Sequence, residues 1–274
     1  PYHRLRYPEA YNSGLFFARS GYAVLVVDLR GTGESEGQFM PWADAASDAV
    51  ASMEWIARQR WSNGKIGTFG CSALGETQLV SQDRAPSSWQ AMIASGAGGA
   101  VGSLAGRHTY FGIFEGGVFQ LASGFGWFVR WGAPRPEASP ARAFDHGEVL
   151  RELPISTLVE SVRPGANAYN AFMSLPLGDP KWNDLGYLAD DTRLHVPALL
   201  INTWGDQTVQ DTLVLSEHWR RQLSADAAQR LKVVISPGLH CGHEQNDARG
   251  TFGELSIANA DWPYRDLYLK WFDY

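Results

Sequence analysis

Apolar and polar positions along the chain form short, almost purely apolar runs separated by longer stretches of mixed polarity. Runs without regular alternation are typical of strands in a parallel sheet that is covered on both faces. The runs that predict buried strands are Tyr22–Asp28, Lys65–Gly70, Gln90–Ala94, Val196–Thr203 and Leu231–Ile235.

Helical periodicity fills the spaces between these runs. In Trp42–Gln59 the apolar residues recur every three or four positions, which places them on one face of a helix. Further helical patterns occupy Thr77–Ser81 and Leu213–Leu223. Alternation of strands and helices predicts an α/β fold with right-handed crossovers and a mostly parallel sheet.

The middle of the chain, residues 96–191, differs in composition. It is rich in Gly, Phe and Trp, then in Pro, and it contains no clear buried strand. A segment of this length is too long to be a loop of a compact domain. We therefore expect a helical cap at 96–191, inserted between two parts of one core at 1–95 and 192–274.

Composition excludes two classes of partner. The 274 residues carry a formal net charge of −6, so the basic surface of a nucleic-acid-binding protein is not expected. The least polar window, Phe111–Val129, contains Glu115, Gln120 and several glycines, and Arg130 follows it. A segment of the cap is therefore a better interpretation than a membrane span.

Two cysteines are too few for a disulfide framework. Cys71 and Cys241 are expected to be buried free thiols, and low cysteine usage is compatible with a reducing, cytoplasmic environment. The chain begins at Pro1 without a methionine, so we expect a fragment whose N-terminal segment is missing.

The most informative motif is Gly70-Cys71-Ser72-Ala73-Leu74-Gly75, which follows a predicted strand and precedes a helical pattern. A nucleophile elbow requires this context, because a sharp turn of small residues leaves the serine hydroxyl exposed at the end of the strand. Leu74 stands where the simplest G-x-S-x-G pattern has its second glycine, so the match is imperfect. Ser72 is the candidate nucleophile.

An acid and a histidine follow two later strands in the order serine, acid, histidine that α/β-hydrolases use. Asp206 comes shortly after the strand that ends at Thr203, and His240 shortly after the strand that ends at Ile235. Catalytic groups of open α/β sheets lie at these carboxyl ends. The candidate triad is therefore Ser72, Asp206 and His240.

Other residues could carry other chemistry. Asp211, further from its strand end, is an alternative acid, and His243 is an alternative base. His243 also clusters with Cys241 and Glu244, but the spacing fits no H-E-x-x-H zinc helix and no second ligand cluster is present. The turn Asp28–Ser35 lacks the third glycine of a dinucleotide-binding loop, so a structural turn is the preferred interpretation. Neither a metal nor a cofactor is predicted.

Together these motifs resemble the CocE/NonD family of serine hydrolases, the group of cocaine esterase and X-Pro dipeptidyl peptidase. The resemblance covers nearly the whole chain and rests on Gly21–Val24, Asp28–Ser35, Asp48–Gly67, Gly70–Gln78, Trp204–Asp206, Pro237–His240 and Leu269–Tyr274.

The family resemblance implies an α/β-hydrolase core with an inserted helical cap, and commonly a C-terminal jelly-roll domain beyond the segment present here. It also implies that the first edge of the sheet precedes Pro1. In this family the oxyanion hole consists of the backbone N–H after the serine, here that of Ala73, and a tyrosine hydroxyl from a Pro-Tyr pair. Pro1-Tyr2 matches that pair, so Tyr2 is the second expected donor.

The expected activity is hydrolysis of ester or amide bonds in small acyl substrates through an acyl-enzyme. The pocket is expected to be apolar and aromatic, built partly from Tyr110–Trp131, with Phe125, Trp127 and Trp204 as candidate contacts. An X-Pro dipeptidyl peptidase or amidase is the alternative, although Leu74 occupies the position where one amine-binding branch carries Glu. A non-catalytic binding protein is a further alternative, against which the intact triad argues.

Overall fold

The structure is a computed structural model that describes residues 8–98, 100, 102–134, 140–245, 251–257 and 261–273. Its α-helices are α1 Pro8–Arg19, α2 Ala45–Ala57, α3 Ala73–Val80, α4 Leu121–Trp131, α5 His146–Val149, α6 Leu158–Val162, α7 Tyr169–Ser174, α8 Lys181–Asp184, α9 Val209–Gln222 and α10 Tyr264–Asp273. Its strands are β1 Ile66–Cys71, β2 Trp89–Ser95, β3 Phe114–Glu115, β4 Val118–Phe119, β5 Ala198–Gly205, β6 Leu231–Leu239, β7 Thr251–Phe252 and β8 Leu255–Ser256.

The central sheet has the order β1-β2-β5-β6, and every neighbouring pair within it is parallel. These strands coincide with four of the predicted apolar runs, and α2, α3 and α9 coincide with the predicted helical patterns. The predicted α/β-hydrolase fold class, a mostly parallel sheet flanked by helices, is confirmed.

Both faces of the sheet are covered. Side chains alternate between the two faces along each strand. On one face Met92 of β2 lies in a buried cluster with Leu79 of α3 and Trp219 of α9. On the other face its neighbour Ile93 lies in a cluster with Tyr268 of α10. Burial on both faces explains why the strands read as continuous apolar runs rather than as alternating ones.

The predicted strand Tyr22–Asp28 is wrong, because the structure contains no strand there. Val24, Leu25 and Val27 of this segment are exposed. A cleft of about 1370 Å³ has this segment on one side and β1 on the other. A strand exists only through hydrogen bonds to a neighbouring strand, and among the described residues none pairs with this segment.

The expected cap region, 96–191, contains helices α4 to α8 and the small antiparallel hairpin β3–β4. Its buried cluster includes Phe125, Phe128 and Tyr169, and it continues into the core through Trp42 and Ala73. None of the described helices combines the length and apolar character that crossing a membrane requires. The division at 95/96 and 191/192 stays a prediction.

Candidate active site

Ser72 lies at the turn between the last residue of β1 and the first residue of α3. Its backbone has φ 61° and ψ −130°, which for a non-glycine residue is a strained conformation. The flanking glycines make room for this turn. A Cβ at Gly70 would lie 2.4 Å from the Cβ of Leu74, and one at Gly75 would lie 2.7 Å from the Cβ of Ala97. The elbow therefore requires glycine at both positions.

The imidazole of His240 contacts both other members of the predicted triad. Its Nε2 atom lies 2.9 Å from Oγ of Ser72, and its Nδ1 atom lies 2.6 Å from Oδ2 of Asp206. A proton on Nδ1, donated to the carboxylate, leaves the lone pair of Nε2 directed at the serine hydroxyl. The structure thus brings together three side chains that the sequence places 34 and 168 positions apart.

Asp206 is held by the start of the helix that follows it. Its Oδ1 atom accepts hydrogen bonds from the backbone N–H and the hydroxyl of Thr208, both at 2.8 Å. Burial alone would raise the pKa of Asp206, but the hydrogen bond and charge of His240 and the two donors of Thr208 lower it below its ordinary value. The side chain is therefore an anion that cannot rotate freely.

The same carboxylate changes the basicity of His240. Burial would lower the pKa of this imidazole, but the hydrogen bond and charge of Asp206, with a contribution from the charge of Glu76, raise it above 6.5. The His240 side chain keeps 34% of its surface exposed, while that of Asp206 is fully buried. A base whose pKa is raised therefore lies between a buried acid and an accessible hydroxyl.

Glu76 fixes the loop that follows β2. Its buried carboxylate accepts hydrogen bonds from the N–H groups of Gly98 at 2.9 Å and Ala100 at 3.1 Å. Thr212 of α9 donates its hydroxyl to the carbonyl of Ala97 at 2.5 Å. This loop is therefore tied to both the elbow helix and the helix after Asp206. Apart from the family motif, no sequence signal pointed to Glu76.

Cys71 and Cys241 form a disulfide, with Cα atoms 6.0 Å apart. The expectation of two buried free thiols is wrong. The physical reason is that Cys71 precedes Ser72 and Cys241 follows His240, so contact between the two catalytic side chains brings their chain neighbours within bonding distance. This adjacency was the signal in the sequence that could have predicted the bond.

Comparison with known proteins places the chain in a family. The profile of the X-Pro dipeptidyl-peptidase (S15) family matches residues 1–242. The chain belongs to the S15 family. Cocaine esterase from Rhodococcus sp. (strain MB1 Bresler) is 29% identical over 258 residues, which are 87% of this chain and 42% of that protein.

Two solved structures share the fold. An aminopeptidase from a marine sediment Thaumarchaeota archaeon superposes with a TM-score of 0.66 at 18% identity, covering 90% of this chain and 43% of that one. An α-amino acid ester hydrolase superposes with a TM-score of 0.60 at 15% identity, covering 93% and 44%. This S15 chain spans less than half the length of each of these relatives.

The structure describes one of the two candidate oxyanion donors. Ala73 is the first residue of α3, so its backbone N–H has no acceptor within the helix and lies at the positive end of the helix dipole. Tyr2 lies outside the described residues, so its role stays a prediction.

The alternative acid and base of this S15 chain have other partners. Asp211 is buried in α9 and pairs with Arg107 at 3.3 Å. Burial raises the pKa of Asp211 to about 6, against the effect of Arg107 and together with the charge of Glu115. His243 is buried, and its Nε2 lies 2.6 Å from the hydroxyl of Tyr268. Burial lowers the pKa of His243 to about 4, although Glu244 opposes this.

The residues considered for a zinc site and for a dinucleotide-binding loop also have other partners in the structure. Cys241 is bonded to Cys71, so its sulfur is not available as a thiolate ligand. Between Asp28 and Ser35 the turn closes on itself, since Thr32 N–H donates to the carbonyl of Leu29 at 2.9 Å. Ser35 donates its hydroxyl to the carbonyl of Asp28 at 2.8 Å.

The three candidate pocket residues have different environments. Phe125 has no exposed surface and lies among aromatic rings of the segment 96–191, with Phe144 at 5.7 Å, which favours a structural role. Trp127 is partly buried and stacks on Trp42 at 5.0 Å. That stack belongs to the same cluster as Ala73, next to the nucleophile. Trp204, two residues before Asp206, is 59% exposed.

Proposed function

We propose that this chain is the catalytic region of a serine hydrolase that cleaves ester or amide bonds of small acyl substrates through an acyl-enzyme. Ser72 is the nucleophile, His240 the general base and acid, and Asp206 the residue that orients the imidazole. The observation that carries the proposal is the double contact of His240, at 2.6 Å to Asp206 and 2.9 Å to Ser72.

The proposed reaction begins with attack of Ser72 Oγ on the substrate carbonyl carbon while His240 Nε2 takes the hydroxyl proton. The charge of Asp206 stabilises the imidazolium that forms, and the Ala73 N–H donates to the oxyanion. His240 then returns the proton to the leaving alcohol or amine. In the second half His240 takes a proton from water, whose oxygen attacks the acyl carbon. The bond to Ser72 Oγ then breaks, His240 returns the proton to this oxygen, and the acid is released.

The choice between ester and amide substrates is a finer question within the same proposal. The family match supports peptide cleavage as the alternative. Against this alternative, Leu74 offers no carboxylate that could bind a substrate amino group. Hydrolysis of p-nitrophenyl butyrate should be compared with that of X-Pro p-nitroanilides, each relative to its uncatalysed rate. A greater rate enhancement for the anilides would assign the peptidase.

Pre-steady-state kinetics test the proposal. With p-nitrophenyl acetate we expect a burst of nitrophenolate equal to the enzyme concentration if deacylation is the slower half. Ser72→Ala is expected to lower kcat by about 10⁶. Ser174→Ala, which changes an exposed serine of α7, is the matched control and should retain full activity. Full turnover by Ser72→Ala would reject the proposed function.

A further inference from the structure

The Cys71–Cys241 disulfide occupies a special place in the chain. It joins the residue directly before the proposed nucleophile to the residue directly after the proposed base, across 170 positions of sequence. The chain contains only these two cysteines, so no alternative pairing within it exists. The bond therefore covalently links the immediate chain neighbours of Ser72 and His240.

The sheet topology explains why the contact between His240 and Ser72 benefits from a covalent link. β1 and β6 lie at opposite edges of the described sheet, so three strand spacings of about 4.8 Å separate them. His240 directly follows β6, so the end of this strand and the His240 side chain must reach across the carboxyl ends of β5 and β2 to contact Ser72. Two hydrogen bonds support this contact, from His240 Nδ1 to Asp206 at 2.6 Å and from the Thr203 hydroxyl to the carbonyl of Leu239 at 2.9 Å, and the disulfide adds a covalent link.

The turn that carries His240 is sharp and lies at the surface. Cys241 has φ 58°, which is unfavourable for a residue other than glycine. Gly242 N–H closes the turn on the carbonyl of Leu239 at 2.8 Å, and the Leu239 side chain is exposed. A conformation of this kind persists only where its surroundings impose it, and the bond from Cys241 to β1 is one such constraint.

Gly96 packs closely against both sulfurs and against the acid of the triad. A Cβ built on Gly96 would lie 2.8 Å from Sγ of Cys71, 3.3 Å from Sγ of Cys241 and 3.2 Å from Oδ2 of Asp206. The disulfide therefore packs against the loop after β2 at the place where that loop meets the Asp206 carboxylate. Movement of the sulfurs would disturb all three members of the triad.

Both cysteines border an open part of the molecule. Both are half-buried, and both line the cleft between β1 and the segment 22–28. We expect a small dithiol to reach the bond through this cleft.

We propose that the Cys71–Cys241 disulfide is a positioning device that holds His240 against Ser72 and Asp206, so that reduction switches the enzyme to a less active form. This rests on the proposed serine-hydrolase function. The cysteines act through Ser72 and His240 and are positioning residues. In the reducing step a dithiol supplies two electrons and two protons: its sulfurs form a disulfide, the Cys71–Cys241 bond breaks, and two thiols result.

The test compares oxidised enzyme, enzyme reduced with dithiothreitol, and the Cys71→Ala/Cys241→Ala variant. Thiol titration in denaturant should find no thiols before reduction and two after it. We expect kcat for p-nitrophenyl butyrate to fall at least tenfold in the reduced enzyme and in the variant, with KM within twofold. Dithiothreitol should not change the variant further, and reoxidation should restore the wild type.

Two readouts separate positioning from a merely structural role. The acid limb of the pH profile of kcat/KM should move to lower pH after reduction, because His240 is no longer held against the anion of Asp206. Activity should fall at the rate at which thiols appear, while the near-UV circular dichroism of the folded protein is retained. Titration with a fluorophosphonate counts the competent active sites, and kcat is calculated per competent site.

The proposal is overturned if the untreated protein contains two thiols. It is also overturned if the reduced, folded enzyme keeps its kcat and pH profile, or if activity is lost only in step with the circular dichroism signal. These outcomes leave the proposed function intact. In contrast, an oxidised Ser72→Ala variant that still hydrolyses esters would contradict the proposed function itself.

Discussion

The Nε2 atom of His240 lies 2.9 Å from the hydroxyl oxygen of Ser72, although 168 positions separate the two residues in the chain. The contact depends on two turns, one at the end of β1 and one at the end of β6, that meet over the carboxyl edge of the sheet. Each turn contains a non-glycine residue with positive φ, Ser72 and Cys241. The site is thus assembled from locally strained backbone on a regular scaffold.

The assignment of the acid is tested by a matched pair of substitutions. Asp206→Asn should lower kcat by about 10⁴ without unfolding the protein, because an amide can favour the wrong tautomer of His240. Asp211→Asn alters a buried carboxylate five positions later whose partner is Arg107 rather than His240. It should retain kcat within about tenfold. The reverse pattern, with the larger loss in Asp211→Asn, would assign Asp211 as the acid.

The pH dependence of kcat/KM follows from the direction of the His240 shift. Only the neutral imidazole can take the serine proton, so activity should rise with pH through a midpoint above 6.5, the ordinary pKa of histidine. Asp206→Asn removes the charge that raises the pKa of His240, whereas burial still lowers this pKa. The residual activity of the variant should therefore have a lower midpoint. An unchanged midpoint in this variant would contradict the coupling.

Trp127 and Trp204 are expected to contribute to selectivity between substrates. Replacing either by alanine should lower kcat/KM for aromatic esters relative to acetate esters by roughly tenfold, which corresponds to about 1.4 kcal/mol of lost contact. Phe125→Ala is the comparison, because this ring is fully enclosed and its loss should destabilise the fold by about 3–5 kcal/mol. Substrate panels and thermal unfolding distinguish the two effects. Identical selectivity in Trp127→Ala and Phe125→Ala would make the aromatic segment Tyr110–Trp131 purely structural.

The second oxyanion donor is tested through Tyr2. If its hydroxyl donates to the oxyanion, Tyr2→Phe should lower kcat by roughly 10² to 10³ while KM changes little. Tyr11→Phe removes the hydroxyl of an exposed tyrosine in α1 and serves as the control. Equal activity of the two variants would exclude Tyr2 from the oxyanion hole.

Much of the fold could be predicted because its information is local. The runs that became β1, β2, β5 and β6 are apolar throughout, since helices cover both faces of the sheet. The elbow at Ser72 could be recognised because a sharp turn requires small residues at fixed offsets. Chain order then singled out Asp206 and His240.

The features that the sequence did not reveal depend on long-range partners. An apolar run such as Tyr22–Asp28 reads as a strand whether or not a neighbour is available to pair with it. The bond between Cys71 and Cys241 appears only when both triad turns are considered together. The hydrogen bonds of Glu76 to Gly98 and Ala100 link two loops whose proximity is a result of folding.

The most direct measurement is covalent labelling with a fluorophosphonate followed by mass spectrometry of the digested protein. A phosphonate reacts with a serine hydroxyl that a neighbouring base activates, so it reports the nucleophile and its activation together. We predict one label per chain, on the peptide that contains Ser72, and its loss in Ser72→Ala and strong reduction in His240→Ala. Stoichiometric labelling of another residue, or an active enzyme that stays unlabelled at Ser72, would contradict the assignment of this chain as a serine hydrolase that uses Ser72.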